Sequence, residues 1–124
     1  MREQPKGDAL LATARQILRD DVLPALPADR KYALLMVMNA MSIAERQLRN
    51  GDAPEVQELA ELRELLDDSK ASPAEGNRQL ARLLRAGAGD PGAPQRAALF
   101  AHLRAAGRRR LAESNPKVLP GEPR

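Results

Sequence analysis

The sequence predicts an all-α protein, a single-domain bundle of about five helices packed around a buried second helix. Three observations carry this expectation. The apolar residues are mostly Ala and Leu, which with Arg, Glu and Gln are the strongest helix formers. The material of sheets is scarce: Tyr32 and Phe100 are the only aromatics, and the β-branched residues are Thr13, Ile17, Val22, Val37, Ile43, Val56 and Val118. Apolar residues recur at three- and four-residue spacing between Pro and Gly interruptions, the signature of helices with one packed face.

The first helix is expected over residues 8–23, capped by Asp8, with Leu10, Leu11, Ala14, Ile17, Leu18 and Val22 as its stripe. Pro24 and Pro27 end it and force a tight link. A second helix should span residues 29–50 and close at Gly51 in a left-handed cap. Its middle, residues 32–44, is apolar apart from Asn39 and Ser42, and a helix apolar on nearly every side is normally a buried one. Asp52 with Glu55 reads as the cap of a third helix whose inner stripe is Val56, Leu59, Leu62 and Leu66. Asp67 and Asp68 oppose its dipole, so its end should fray into a connector over 67–71. Ser72-Pro73-Ala74-Glu75 is the clearest start signal: Ser at the cap, Pro at the first helical position and Glu at the third. The fourth helix should run to Ala86, turning Leu80, Leu83 and Leu84 inward, with Gly87 closing it. After the loop 87–94, a fifth helix over 95–113 should bury Leu99, Leu103 and Leu111. Gly107 within it suggests a close backbone contact. Residues 1–7 and 116–124 are expected to be flexible ends of a helical domain covering 8–115.

The chain has 124 residues, which fits one domain. It has no Cys, which excludes disulfides, thiolate catalysis and Cys-based zinc. The start of the chain lacks a long apolar core and carries several acids, unlike a signal or transit peptide. No apolar run reaches the ~18 residues of a membrane span. A cytoplasmic location is the expectation. The net charge of +3 hides an asymmetry. Residues 1–77 hold 10 basic against 14 acidic groups, and residues 78–124 hold 10 against 3, giving −4 and +7. Such a split fits either an anionic partner or an acidic helix lying beside a basic one.

Nothing in the pattern builds a catalytic centre, a metal site or a cofactor site. The single His, His102, has no paired ligand or nucleophile and reads as a surface or boundary residue. Residues 87–92 spell G-x-G-x-x-G, yet they follow a helix rather than a strand, and Pro91 removes an amide. Arg104, Arg108, Arg109 and Arg110 cluster near the end of the fifth helix, where cations suit the dipole. Their functional alternatives are nucleic acid or the phosphate of a nucleotide or of CoA. Single-strand binders add aromatic stacking platforms that this chain lacks, and the acidic third helix would repel DNA. Asn39, Ser42 and Arg46 share a stripe of the apolar second helix and read either as an internal hydrogen-bonded network or as a partner contact.

The segments LLATARQILRDDVLPALP, YALLMVMNAMSIAERQL, LLRAGAGD and HLRAAGRRRLAESNPK are similar to successive blocks of a bacterial domain-of-unknown-function family, over about residues 5–117. The resemblance implies a small helical protein of a kind commonly encoded beside an aminoglycoside-phosphotransferase-like kinase and an acyl-CoA dehydrogenase, similar to the small subunit of a levulinate-utilisation 4-hydroxyacyl-CoA kinase. The resemblance implies a non-catalytic accessory subunit, with the catalytic Asp, metal ligands and nucleotide loop on the kinase. It implies no catalytic, cofactor or metal residue in this chain. Asn39, Arg46, Asp90, Asn115 and Pro116 match the family pattern and, with Ser42 and Arg104, are the residues expected to form or support the partner interface. The kinase is the expected partner, and the acyl-CoA dehydrogenase a further one. A nucleic-acid-binding regulator using the C-terminal arginines is the alternative.

Overall fold

The computed structural model describes residues 1 and 3–121. Among these the protein is all-α, with five helices and no strand: α1 (Gly7–Ile17), α2 (Ala28–Asn50), α3 (Ala53–Leu66), α4 (Pro73–Arg85) and α5 (Arg96–Ser114). The chain divides into two compact units. One holds residues 1–51 and 113–115; the other holds residues 52–112 and the segment from Pro116 onward. No helix among the described residues is long and apolar enough to cross a membrane.

In the first unit, α1 widens into a π turn over Leu18–Val22 and tightens into a 3-10 turn over Leu23–Ala25. Pro24 has no N–H with which to continue the ladder, so the helical stretch ends here, as the prolines require. Asp8 lies in the first turn rather than at the cap, where Lys6 stands without a side-chain bond. The start of α1 approaches the end of α2 closely: a Cβ on Gly7 would lie 3.1 Å from Leu48 Cδ1. Gly51, at φ +63°, closes α2 with its N–H donating to the Gln47 carbonyl.

The expectation that α2 is the buried centre is overturned. Only Met38 and Glu45 of α2 are buried, while Tyr32, Leu35, Met36 and Val37 are 73, 48, 49 and 51 % exposed. The pattern of apolar residues states what a helix could bury, not how many neighbours it receives. Within its unit α2 has α1 along one side, and one neighbour covers one face.

The second unit has the leucine core. Leu62 of α3, Leu80 of α4 and Leu99 of α5 are buried together, with Leu65, Leu66, Leu84 and Ala88 packed against them. Gly76 makes the α3–α4 approach: a Cβ there would sit 2.7 Å from Leu62 Cδ2. Gly107, expected to be such a contact, faces open space. Val56, Leu103 and Leu111 are exposed rather than inward. In α5 the buried residues are Leu99, His102 and Ala106, a face whose small Ala allows close packing.

The ends of these helices sort real caps from apparent ones. Ser72 accepts the Glu75 N–H through its hydroxyl, as the sequence predicts. Asp52 does not cap α3, because its backbone is already helical (φ −87°, ψ −6°) and its side chain makes no cap bond. Nor does α3 fray. Asp67 adopts the left-handed conformation, its N–H donates to the Glu64 carbonyl, and the Asp68 N–H donates to the Arg63 carbonyl. This is a Schellman closure on Asp instead of Gly. Gly87, at φ +95°, closes α4 in the same way, with Gly87 and Ala88 donating to Leu84 and Leu83. After Ser114, Pro116–Val118 form a 3-10 turn. The expected flexibility of the two ends falls partly on Arg2 and on residues 122–124, which lie outside the described residues.

Candidate functional site

The face of α2 turned away from α1 is the first place to examine. Helical spacing puts Tyr32, Leu35, Met36 and Asn39 on one side, opposite Leu34, Met38, Met41 and Glu45. Asn39 is exposed, and its side chain makes no hydrogen bond among the described residues. The polar stripe read from the sequence is therefore three separate things. Asn39 sits free on an apolar surface. Ser42 donates its hydroxyl to the Met38 carbonyl one turn back, 3.1 Å away. Arg46 donates from Nε to the Glu113 carbonyl and from Nη2 to the Ser114 carbonyl. Asn50 Nδ2 also donates to Glu113 Oε1. A cation on the last carbonyls of α5 suits both the unpaired acceptors and the dipole, so Arg46 fastens the end of α5 to α2. Asn115 follows directly and is exposed, and Pro116 opens the final turn.

Asp90 and Arg104 belong to the second unit and serve local roles there. The Asp90 N–H donates to the Gly87 carbonyl, and its own carbonyl accepts from Ala93. Arg96 reaches into the same loop to donate to the Gly89 carbonyl. The Arg104 guanidinium lies 6.0 Å from the Phe100 ring centre and that of Arg96 lies 4.6 Å from it, a shared cation–π contact.

One cluster escaped the sequence reading. Glu45, 6 % exposed, accepts from Arg15 Nη2 of α1 and from Arg49 Nη2 of its own helix, each at 2.7 Å. The Arg15 hydrogen bond holds the Glu45 carboxyl below the usual carboxylate range, against the opposing effect of burial. The signal was present but weak: Glu45 lies seven residues after Met38 on the packed face, and Arg15 lies four after Leu11.

The acidic and basic halves of the sequence meet inside the second unit. Glu61 pairs with Arg109 Nη2 at 2.6 Å, and Glu58 with Arg110 Nη2 at 2.8 Å. The Arg109 hydrogen bond lowers the Glu61 pKa despite partial desolvation. Of the charge readings, the intramolecular one accounts for two of the four arginines in the cluster. An open groove of about 470 Å³ lies between α3 and α5, lined by Glu61, Glu64, Leu65, Ala98, Ala101 and Ala105 together with His102. His102 is 7 % exposed, more buried than the surface or boundary residue expected, and its Nδ1 has no hydrogen-bond partner among the described residues. It follows Leu99 by three residues, and the alanines around it leave room for the ring against α3.

Among the described residues no three His, Asp or Glu side chains converge to hold a metal ion. Two places stand out: an uncharged apolar face on α2 and an acid-rimmed groove on α3 and α5. No curated protein and no solved structure matches the chain. A family model described as a domain of unknown function (DUF6285) matches residues 24–118, three-quarters of the sequence and parts of both units, and the chain belongs to that family.

Proposed function

We propose that this protein is a non-catalytic accessory subunit that works by binding another protein, and that its partner is an aminoglycoside-phosphotransferase-like kinase acting on 4-hydroxyacyl-CoA. One observation carries the binding role. Tyr32, Leu35 and Met36, three large apolar side chains on the face that also carries Asn39, are each about half exposed or more. A contiguous apolar patch framed by polar residues marks a contact surface more often than chance. Its tyrosine and methionine are residue types enriched at interfaces. The kinase identity rests on the sequence resemblance, which spans both units. Arg46 fastens the end of α5 to the same helix, α2, by holding the Glu113 and Ser114 carbonyls. The nucleic-acid alternative is weakened by the two ion pairs that engage Arg109 and Arg110.

The test is co-expression with the neighbouring kinase. The two proteins should co-elute in size-exclusion chromatography, and phosphorylation of a 4-hydroxyacyl-CoA, followed by mass detection of the thioester, should exceed that of the kinase alone. Met36→Asp with Asn39→Ala should abolish co-elution while leaving the thermal midpoint nearly unchanged, since both side chains are exposed. A kinase fully active alone and eluting separately refutes the proposal.

A further inference from the structure

The first unit carries a second apolar surface. On α1, Gly7, Leu10, Ala14 and Ile17 recur at three- and four-residue spacing and share a stripe. On α2, Ala33, Val37, Ala40, Met41, Ala44 and Leu48 share another. The two stripes run along one side of the helix pair, because a Cβ on Gly7 would stand 3.1 Å from Leu48 Cδ1. Leu10, Ile17, Val37 and Leu48 are 54, 52, 51 and 53 % exposed, and Ala33 and Ala40 are exposed between them. Neither stripe contains a charged residue. Helical spacing turns Tyr32, Leu35, Met36 and Asn39 to a different side of α2. A helix pair that is apolar along one broad side is half of a four-helix bundle.

We propose that this side is a self-association surface, on which two copies of the chain pack helix pair against helix pair as an antiparallel four-helix bundle. The proposal goes beyond the accessory role and uses a separate face. Three features make the surface complementary to itself. The first is packing. With α1 antiparallel to α1 and α2 antiparallel to α2, Leu10 meets Ile17 of the second copy. Val37 then meets its Ala44 and Leu48 its Ala33, so large side chains on α2 face small ones. The second is symmetry, since one twofold axis must serve both helices. These pairings put it between Thr13 and Ala14 on α1 and between Ala40 and Met41 on α2. Counted from the Gly7–Leu48 approach at ~1.5 Å per residue, the two levels agree to within about one residue. The third is charge. Lys6 and Asp21 stand just beyond the two ends of the α1 stripe, and neither side chain has a partner among the described residues. The twofold brings each Lys6 opposite Asp21 of the other copy, which fixes the register. Arg30, one turn before Ala33, falls opposite Gly51, past the end of α2, and stays in water. Residues 33–48 on two helices about 9 Å apart present a side about 24 Å long and about 20 Å wide. With its rim, this reaches the lower end of the roughly 600–1,000 Å² that each partner buries in a specific interface. Dissociation in the micromolar range is the expected strength.

Sedimentation equilibrium of the full chain alone, over about 1–300 µM, tests the proposal. A monomer–dimer isotherm is expected. Ile17→Glu with Val37→Glu, both at exposed positions, should give a monomer throughout, with the thermal midpoint of the dilute protein close to that of wild type. Met36→Asp, on the other side of α2, should leave the dimer intact. Lys6→Glu alone and Asp21→Lys alone should each weaken association by roughly threefold or more, and the two together should restore it. A monomer at every concentration overturns the proposal. So does a dimer that survives Ile17→Glu with Val37→Glu, or one that Met36→Asp abolishes. Single charge reversals without effect, or a double reversal that weakens association further, overturn the antiparallel register. These measurements need no kinase, so the dimer and the accessory role stand or fall separately.

Discussion

The two units of this protein are held together by different physics. The second unit is closed by Leu62, Leu80 and Leu99, three side chains that are nearly or fully buried against one another. The first has no such cluster. Its two helices meet along half-buried leucines and a single buried carboxylate, Glu45, held between Arg15 and Arg49. Apolar packing is non-directional and indifferent to pH. A buried ion pair is directional and costly to break, because removing one partner leaves the other desolvated. The unit with the weaker core also carries most of the exposed large apolar side chains. A helix pair has one mutual face, and every other apolar residue on it remains open to whatever arrives.

Four changes would break or sharpen this contrast. Leu99→Ala should cost about 2–5 kcal/mol, the range for deleting a buried leucine in a packed core. Denaturant melts should show the same penalty at pH 7 and at pH 4; a penalty that shrinks with acid would mean that the second unit also leans on charge. Glu45→Gln comes next, at roughly 2 kcal/mol at pH 7, the scale of hydrogen bonds to a charged group. Its pH dependence follows from the depressed pKa. The contribution of Glu45 is complete above its unfolded value of 4.5 and is lost as pH falls through the lower folded value. Wild type and Glu45→Gln should therefore converge in stability as the pH falls below 4.5 and through the lowered folded value. Parallel curves down to the lowest accessible pH would show that the carboxylate is not the fastening.

Gly76→Ala should cost about 1–3 kcal/mol, since the new methyl would lie 2.7 Å from Leu62 Cδ2 in the tightest part of the α3–α4 contact. Here Gly76→Ala with Leu62→Val should recover part of the loss in a thermal-melt cycle, and additive losses would place the strain elsewhere. Gly107→Ala is the smallest effect and has the opposite sign. With nothing within 4 Å of its would-be Cβ, it should gain up to about 1 kcal/mol from helix propensity alone. A loss would reveal a neighbour at that position.

The local grammar of the chain was legible. Apart from the end of α1, where the α-helix gives way to a π turn at Leu18, helix bounds fell within a residue or two of where Pro27, Gly51, Ser72-Pro73 and Gly87 placed them, because proline, glycine and capping hydroxyls act through the backbone of their own neighbourhood. An acidic helix beside a basic one was one of the two readings that the charge split allowed, since charge patterns survive any arrangement that brings the two together. Asp52 and Asp67 were misread for a local reason: an Asp beside a helix end can cap it, oppose its dipole or take the left-handed turn, and only backbone angles tell these apart.

Composition and periodicity by themselves determined that this is a helical protein with five segments and no sheet. Tertiary structure decided which faces those segments present. It put Tyr32, Leu35 and Asn39 outside, drew Arg46 to the end of α5, buried His102 beneath α3, and chose Gly76 over Gly107 for the close approach. The reason is one of range. Propensity, capping and spacing are set by residues within about four positions, whereas burial depends on neighbours dozens of residues away. An apolar helix carries no local record of whether those neighbours come from its own chain or from a partner's.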